Sequence, residues 1–296
     1  MIQKIKLWLI IPLVTMLVSV GLIVLIRPVL GIDFTGGSLL EIEAKGVAPE
    51  NVGTALEQEL DLPSTVQSGE GNRLLIRTTA LPESQHQEVL RILREKDILT
   101  EELRFESIGP TIGAELRRKT VMAVAVALVI LVVYLTYTFR KAGGLISPWK
   151  FGVAAIYALV HDLLFVTAMF VILGAWLGVS IDTLFVTAML VVLGYSVNDT
   201  IIIFDRIREH LAKNERENTK EPFEQTVGKS ISETLTRSIN TSLTVVLALF
   251  VLVLLGAPAT RDFALVMLVG VVAGTYSSIL LAAPLLIPLS RWFVKK

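Results

Sequence analysis

The sequence predicts a polytopic helical membrane protein that carries one small α/β domain. Two observations carry this. Apolar residues make up 53% of the 296 positions, with a mean hydropathy of +0.67, which excludes an ordinary soluble domain. Six stretches are also long and apolar enough to cross a hydrocarbon core, which takes about 20 residues of helix. Residues 1–29 hold the first. An external domain follows at 30–117, and 118–296 hold five more, near 119–139, 151–173, 183–205, 237–256 and 262–289, with a cytoplasmic loop at 206–236.

The first segment has too long an apolar core for a signal peptide, and no A-x-A site follows it, so an uncleaved anchor is expected. Orientation follows from Lys and Arg near the helix ends. Lys4 and Lys6, then Arg140, Lys141 and Lys150, then Arg206 and Arg208 through Lys229, and finally Arg291, Lys295 and Lys296 alternate correctly with six crossings. Both termini are therefore expected in the cytoplasm, and 30–117 outside. Arg117, Arg118 and Lys119 fall on the outer side, where a long translocated domain is exempt from the rule.

Within 30–117, residues 38–43 alternate as a strand and 49–60 read as a helix with Pro49 in its first turn. A short strand at 64–67, a turn at 69–72 and an alternating run at 73–79 form a hairpin. A helix at 83–95 and a last strand at 103–108 complete the order βαββαβ, the ferredoxin-like arrangement. That arrangement hosts many functions and licenses none by itself.

Composition removes several chemistries. With no cysteine, thiol catalysis, disulfides and Cys-ligated metals drop out. Three dispersed histidines make no metal set, and zero formal net charge makes no case for nucleic acid. Without a G-x-x-x-x-G-K-[ST] loop there is no P-loop for nucleotide, which leaves an ion gradient as the energy source.

Asp199 stands out because it lies inside an apolar run, where an ionisable group costs roughly 2.5–3.5 kcal/mol and marks an ion or proton pathway by default. Tyr195, Asn198 and Asp199 share a helix face at spacings of three and four, and Gly194 is placed to admit a neighbouring backbone. The next long segment opens with Arg237, whose face continues through Asn240, Thr241 and Thr244 as a matching polar stripe. Burial disfavours an ionised carboxylate and a nearby guanidinium favours it, so a site whose distance to arginine changes can load and release a proton. A proton falling through 100 mV releases about 2.3 kcal/mol, enough to shift a conformational equilibrium.

His161 and Asp162 lie near the middle of the third segment. Neighbours at i and i+1 do not share a face, so one of them is expected to join the polar centre, and Asp162 is the better candidate for a relay. Gly270 and Gly274 form a small-xxx-small face suited to tight helix contact. Asp182 is placed to cap the fourth segment. Phe223, Val227, Ile231 and Leu235 mark an amphipathic surface helix leading into the fifth.

Three motifs together carry a resemblance: Gly31-Ile-Asp-Phe-Thr-Gly-Gly37, Gly194-Tyr-Ser-Val-Asn-Asp-Thr200 running into Ile203-Phe-Asp-Arg-Ile-Arg-Glu209, and Thr234-Leu-Thr-Arg-Ser-Ile-Asn-Thr-Ser242. The chain resembles the bacterial SecD/SecF family of protein-export membrane proteins over essentially its whole length. That resemblance implies a non-enzymatic accessory subunit of the Sec translocase in the cytoplasmic membrane, related in architecture to the resistance-nodulation-division transporters. It implies SecD as pseudo-symmetric partner, contact with the SecYEG channel and YajC, and service to SecA-driven preproteins. It also implies protons as coupling ion and no other cofactor. By position, Asp199 matches the family's intramembrane proton-pathway aspartate, Arg237 its partner arginine, and Asn198 the same motif. Asp33, Gly36 and Gly37 match a D-F-x-G-G element that reads as a joint between helix and domain.

Three other readings stay open on the residues alone. A proton-driven exporter of small molecules shares the transmembrane plan. An intramembrane aspartyl protease would pair Asp162 with Asp199, although the G-x-G-D pattern is missing around Asp199. A purely structural partner would tolerate Asp199→Asn.

Overall fold

A computed structural model of the chain describes residues 5–44, 46–69, 71–140, 146–177, 179–219 and 221–291. Lys4, Lys141, Lys295 and Lys296, counted above for orientation, lie outside the described residues, as do the Lys6 side chain and position 70 of the predicted turn. In chain order the elements are α1 (Ile5–Ile26), α2 (Ile32–Thr35), β1 (Gly37–Ala44), α3 (Pro49–Leu60), β2 (Ser64–Ser68), β3 (Arg73–Thr78), α4 (Glu83–Glu95), β4 (Leu99–Ile108), α5 (Pro110–Thr138), α6 (Pro148–Leu177), α7 (Thr183–Arg216), α8 (Phe223–Leu255), α9 (Pro258–Ser277), a π-helical turn (Ser278–Ala282) and α10 (Ala283–Arg291).

Two units partition the chain: residues 1–27, 123–169 and 184–296 form one, and 28–122 with 170–183 the other. The second unit holds an antiparallel sheet in the order β2-β3-β1-β4, which is the expected ferredoxin-like arrangement. Alternation makes one face apolar. Leu40 and Ile42 on β1 stand opposite Ile76 and Leu74 on β3. Together with Val52 and Leu56 of α3 and Val89, Leu90 and Leu93 of α4, they close the domain's core. Each such side chain contributes about 1.5–3 kcal/mol when fully buried. The last strand starts four residues earlier than expected, because 99–102 pair with β1 through two register shifts while showing no clean alternation.

The other unit contains most of the length of the membrane helices. Six helices among the described residues have the length and hydropathy to cross a membrane. They fall into two kinds. In α7 half of the most apolar window is buried by protein, and in the last helical stretch 61%, whereas in α5 only 6% is. A helix apolar on every side with little of it covered belongs against lipid. The inner core joins Phe139, Phe151 and Phe204, whose ring centroids lie 5.0–5.8 Å apart, to Ala154, Ala155, Ala158 and Leu193.

Predicted loop 206–236 is mostly helix. It is shared between the end of α7 and the start of α8, which runs without a break from the expected surface helix through the fifth span. The last span is interrupted by the π-turn, closed by the Ala283 N–H donating to the Ser278 carbonyl. Pro284 follows directly and has no N–H to offer an ordinary helical bond, so the regular ladder is interrupted here.

Candidate functional site

Hydroxyl side chains mark where the inner helices meet. On α8, Ser230, Thr234, Ser238 and Ser242 recur every fourth residue and all are buried. On α9 the run Thr275-Tyr276-Ser277 leads into Ser278 of the π-turn. Small residues bring α9 against α7: a Cβ on Gly270 would sit 2.3 Å from Val192 Cγ2, and one on Gly274 2.8 Å from Ser196 Cβ. This approach puts consecutive residues of α9 and the π-turn against different partners.

Asp199 is buried on α7. Ser242 Oγ lies 3.4 Å from Asp199 Oδ2 and 2.6 Å from Thr275 Oγ1, and Tyr195 donates to the same Ser242 oxygen at 3.1 Å. Ser242 has a single proton, and the Ser238 carbonyl at 2.8 Å competes for it. Thr275 Oγ1 bonds the Asp199 carboxylate and also the Val271 carbonyl of its own helix at 2.8 Å, so Asp199 is met by two hydroxyls whose protons are contested.

Asp162 is also fully buried, and its surroundings differ. Ser196 and Ser277 donate to Oδ2 at 2.6 and 2.9 Å, and His161 Nδ1 lies 3.1 Å from Oδ1. The other ring nitrogen of His161 meets Thr15 of α1 at 2.9 Å and the Tyr276 hydroxyl in a short contact. With the proton on Nδ1, every member is satisfied: the ring donates to Asp162 and accepts at Nε2. A third link joins Thr200 to Ser278 at 2.8 Å.

Several expectations change. His161 and Asp162 both join the interior, because α6 is enclosed widely enough that adjacent positions reach different helices. Arg237 is exposed and is not within ion-pair distance of Asp199, and Asn198 is exposed as well. The stripe Asn240, Thr241 and Thr244 is exposed too. It follows the outer face on which Arg237 lies, one position away from Ser238 and Ser242. The Thr241 and Thr244 hydroxyls bond their own helix backbone, and Thr241 also meets the Tyr195 hydroxyl of α7. A Cβ on Gly194 would meet nothing within 4 Å, so no backbone packs there, in contrast to Gly270 and Gly274. The sequence did contain a signal for the missed residues, since hydroxyls at 230, 234, 238 and 242 keep a period of four.

In the other unit, Asp33 Oδ2 accepts the Thr183 N–H at 2.8 Å and its hydroxyl at 2.5 Å. Gly36 and Gly37 have φ of 71° and 120°, and side chains there would collide with Pro110 Cα at 2.7 Å and the Thr78 carbonyl at 2.5 Å. Only glycine meets both demands. Among the described residues no cluster of His, Asp and Glu is disposed to hold a metal ion.

Comparison with known proteins places this arrangement. The family model described as protein export membrane protein SecD/SecF, C-terminal, matches residues 88–292, and the SecD/SecF GG motif matches 22–46. A protein translocase subunit SecF from Thermobaculum terrenum is 40% identical over 273 residues, covering 87% of this chain and 83% of that protein. The SecDF subunit of Thermus thermophilus is 35% identical over 268 residues, which are 86% of this chain and 34% of that longer one. The crystal structure of SecDF from Thermus thermophilus, titled a translocon-associated membrane protein, superposes with a TM-score of 0.85 at 32% identity, covering 98% of this chain. This chain spans 38% of that one. A second structure, of SecDF in a super-membrane-facing form, matches with a TM-score of 0.67 at 31% identity and the same coverage. On the family model and these relatives, the chain belongs to the SecD/SecF family of protein-export membrane proteins.

Proposed function

We propose that this chain supplies one half of a Sec accessory complex, pairs with SecD, and uses the proton-motive force to assist preprotein translocation and release. Asp199 loads the proton. The observation that carries this reading is a buried carboxylate met by two hydroxyls, Ser242 and Thr275, whose protons backbone carbonyls contest, at the position where the family motif has its aspartate. Neutralising such a group strands neither hydroxyl, because each has a backbone acceptor to donate to.

Arg237 is the cationic partner of the ionised state. It leaves α8 five residues before Ser242, about 7.5 Å of helix, and its exposed guanidinium is free to swing toward or away from the acid. Asn198 stands on the outer face beside Asp199 and lines the approach. Asp162 serves as the fixed anchor of the pathway, holding Ser196 and Ser277 in place. The subunit lies in the cytoplasmic membrane with both termini inside and residues 30–117 outside, next to the SecYEG channel and YajC, and acts on preproteins delivered by SecA. A fused SecDF relative supports the pairing with SecD.

The test uses membrane vesicles holding the complex with SecD. Asp199→Asn and Arg237→Met should assemble normally yet abolish the stimulation of late preprotein release by a proton gradient. Full stimulation in both variants would refute the mechanism.

A further inference from the structure

The GG-motif segment does more than turn the chain. Asp33 places one carboxylate oxygen against the first residue of α7, accepting both the backbone N–H and the hydroxyl of Thr183, 150 positions away in sequence. A carboxylate at a helix N-terminus is stabilised by the helix dipole and by the charge-assisted bond to a first-turn backbone N–H. Backbone bonds reinforce the contact. Gly31 N donates to the Ile181 carbonyl and Ile181 N to the Val29 carbonyl, both at 2.8 Å, with a parallel bridge between Leu30 and Ile181. Four residues beyond Asp33, Gly37 opens β1, an inner strand of the sheet, at a point packed so closely on Thr78 that no Cβ fits. Gly113 near the start of α5 closes on Gly36 in the same way.

The strap from 29 to 37 is thus fixed at one end to the sheet and at the other to α7. Among the described helices α7 is continuous from Thr183 to Arg216 and carries Asp199, sixteen residues or about 24 Å along. A rigid helix gripped at its end transmits displacement along its length.

We propose that Asp33 is the positioning residue that couples α7 to the α/β domain, so that movement accompanying proton loading at Asp199 reaches the sheet through this latch. The latch stays closed throughout the cycle. It touches neither proton nor polypeptide. The inference rests on the reading of Asp199 as the loading site.

The chain has no cysteine, so an engineered pair can replace the latch covalently. A Cβ on Gly31 would lie 3.1 Å from Asp182 Cβ, and a disulfide needs about 3.5–4.5 Å, a small adjustment. Gradient-stimulated preprotein release is measured in vesicles holding the complex with SecD. Asp33→Ala should drop to the level seen without a gradient, and Asp33→Asn, which keeps a capping oxygen, should retain stimulation. Adding Gly31→Cys and Asp182→Cys to Asp33→Ala should restore stimulation when oxidised and lose it again on reduction. A folding defect cannot be switched in that way. Equal stimulation of Asp33→Ala and the parent would overturn the latch alone, as would a closed disulfide that leaves Asp33→Ala unrescued. An unresponsive parent protein would instead sink the reading of Asp199, and the latch with it.

Discussion

Asp162 and Asp199 are both buried in the same helical unit, yet one has close donors around it and the other meets hydroxyls whose protons are contested. Asp162 has Ser196, Ser277 and His161 around it, and the histidine is itself held by Thr15 and Tyr276. Asp199 has Ser242 at 3.4 Å and Thr275, hydroxyls whose protons the Ser238 and Val271 carbonyls contest. A fully satisfied buried network rigidifies what it connects. Each donor it contains would be orphaned by a change of state, at about 1–3 kcal/mol apiece. Burial of a charge does not by itself mark a switch; how firmly its donors are committed separates a fixed carboxylate from a mobile one.

Removing the carboxylates should give opposite outcomes. Asp162→Ala strands Ser196, Ser277 and His161 and should cost about 3–5 kcal/mol, seen as a large fall in the thermal midpoint of the purified protein. Asp199→Ala should cost far less stability while abolishing gradient-stimulated release. Equal melting shifts in the two variants would break the comparison.

Packing around the two acids sharpens it next. Gly274→Val drives a side chain into Ser196, a ligand of Asp162, and should destabilise by about 1–3 kcal/mol. Gly194→Ala meets open space and should leave the melting midpoint unchanged.

A subtler difference is expected from the serines. Ser242→Ala should alter the pH midpoint of gradient-stimulated release with a stability cost under about 1 kcal/mol, the worth of a weak hydrogen bond. Ser277→Ala should cost more stability and leave that midpoint in place, read from release assays across pH.

The smallest effect concerns a carboxylate in water. Lys96, bonded to Glu59 at 2.8 Å, holds the Glu59 carboxyl below its ordinary value of 4.5. A lowered folded-state value means that the pair's contribution is present above about pH 4.5 and is lost as pH falls through the lowered value. Glu59→Gln should therefore lower the domain's melting midpoint slightly at neutral pH, with the difference from the parent vanishing as pH falls through the lowered value.

Much of this was legible in the sequence, for physical reasons. Long apolar runs and a period of two are strong signals, so the helices and the βαββαβ order follow from them, and the cost of a charge in lipid singles out Asp199. Gly270 and Gly274 are readable from spacing, whereas a lone Gly194 has no spacing to test. The face that runs from Arg237 through Asn240, Thr241 and Thr244 is the exposed one, because a cation there seeks water, although Thr241 also reaches Tyr195. The buried Ser238 and Ser242 carry little weight in any hydropathy scale. The latch of Asp33 on Thr183 spans 150 positions and leaves no local pattern at either end.

The most direct test is infrared difference spectroscopy of the complex with SecD as the pH on one side of the membrane is stepped. A protonated-carboxyl band should appear and vanish with the step, be absent from Asp199→Asn, and survive in folded Asp162→Asn. A band that survives in Asp199→Asn and is lost in Asp162→Asn would contradict the account.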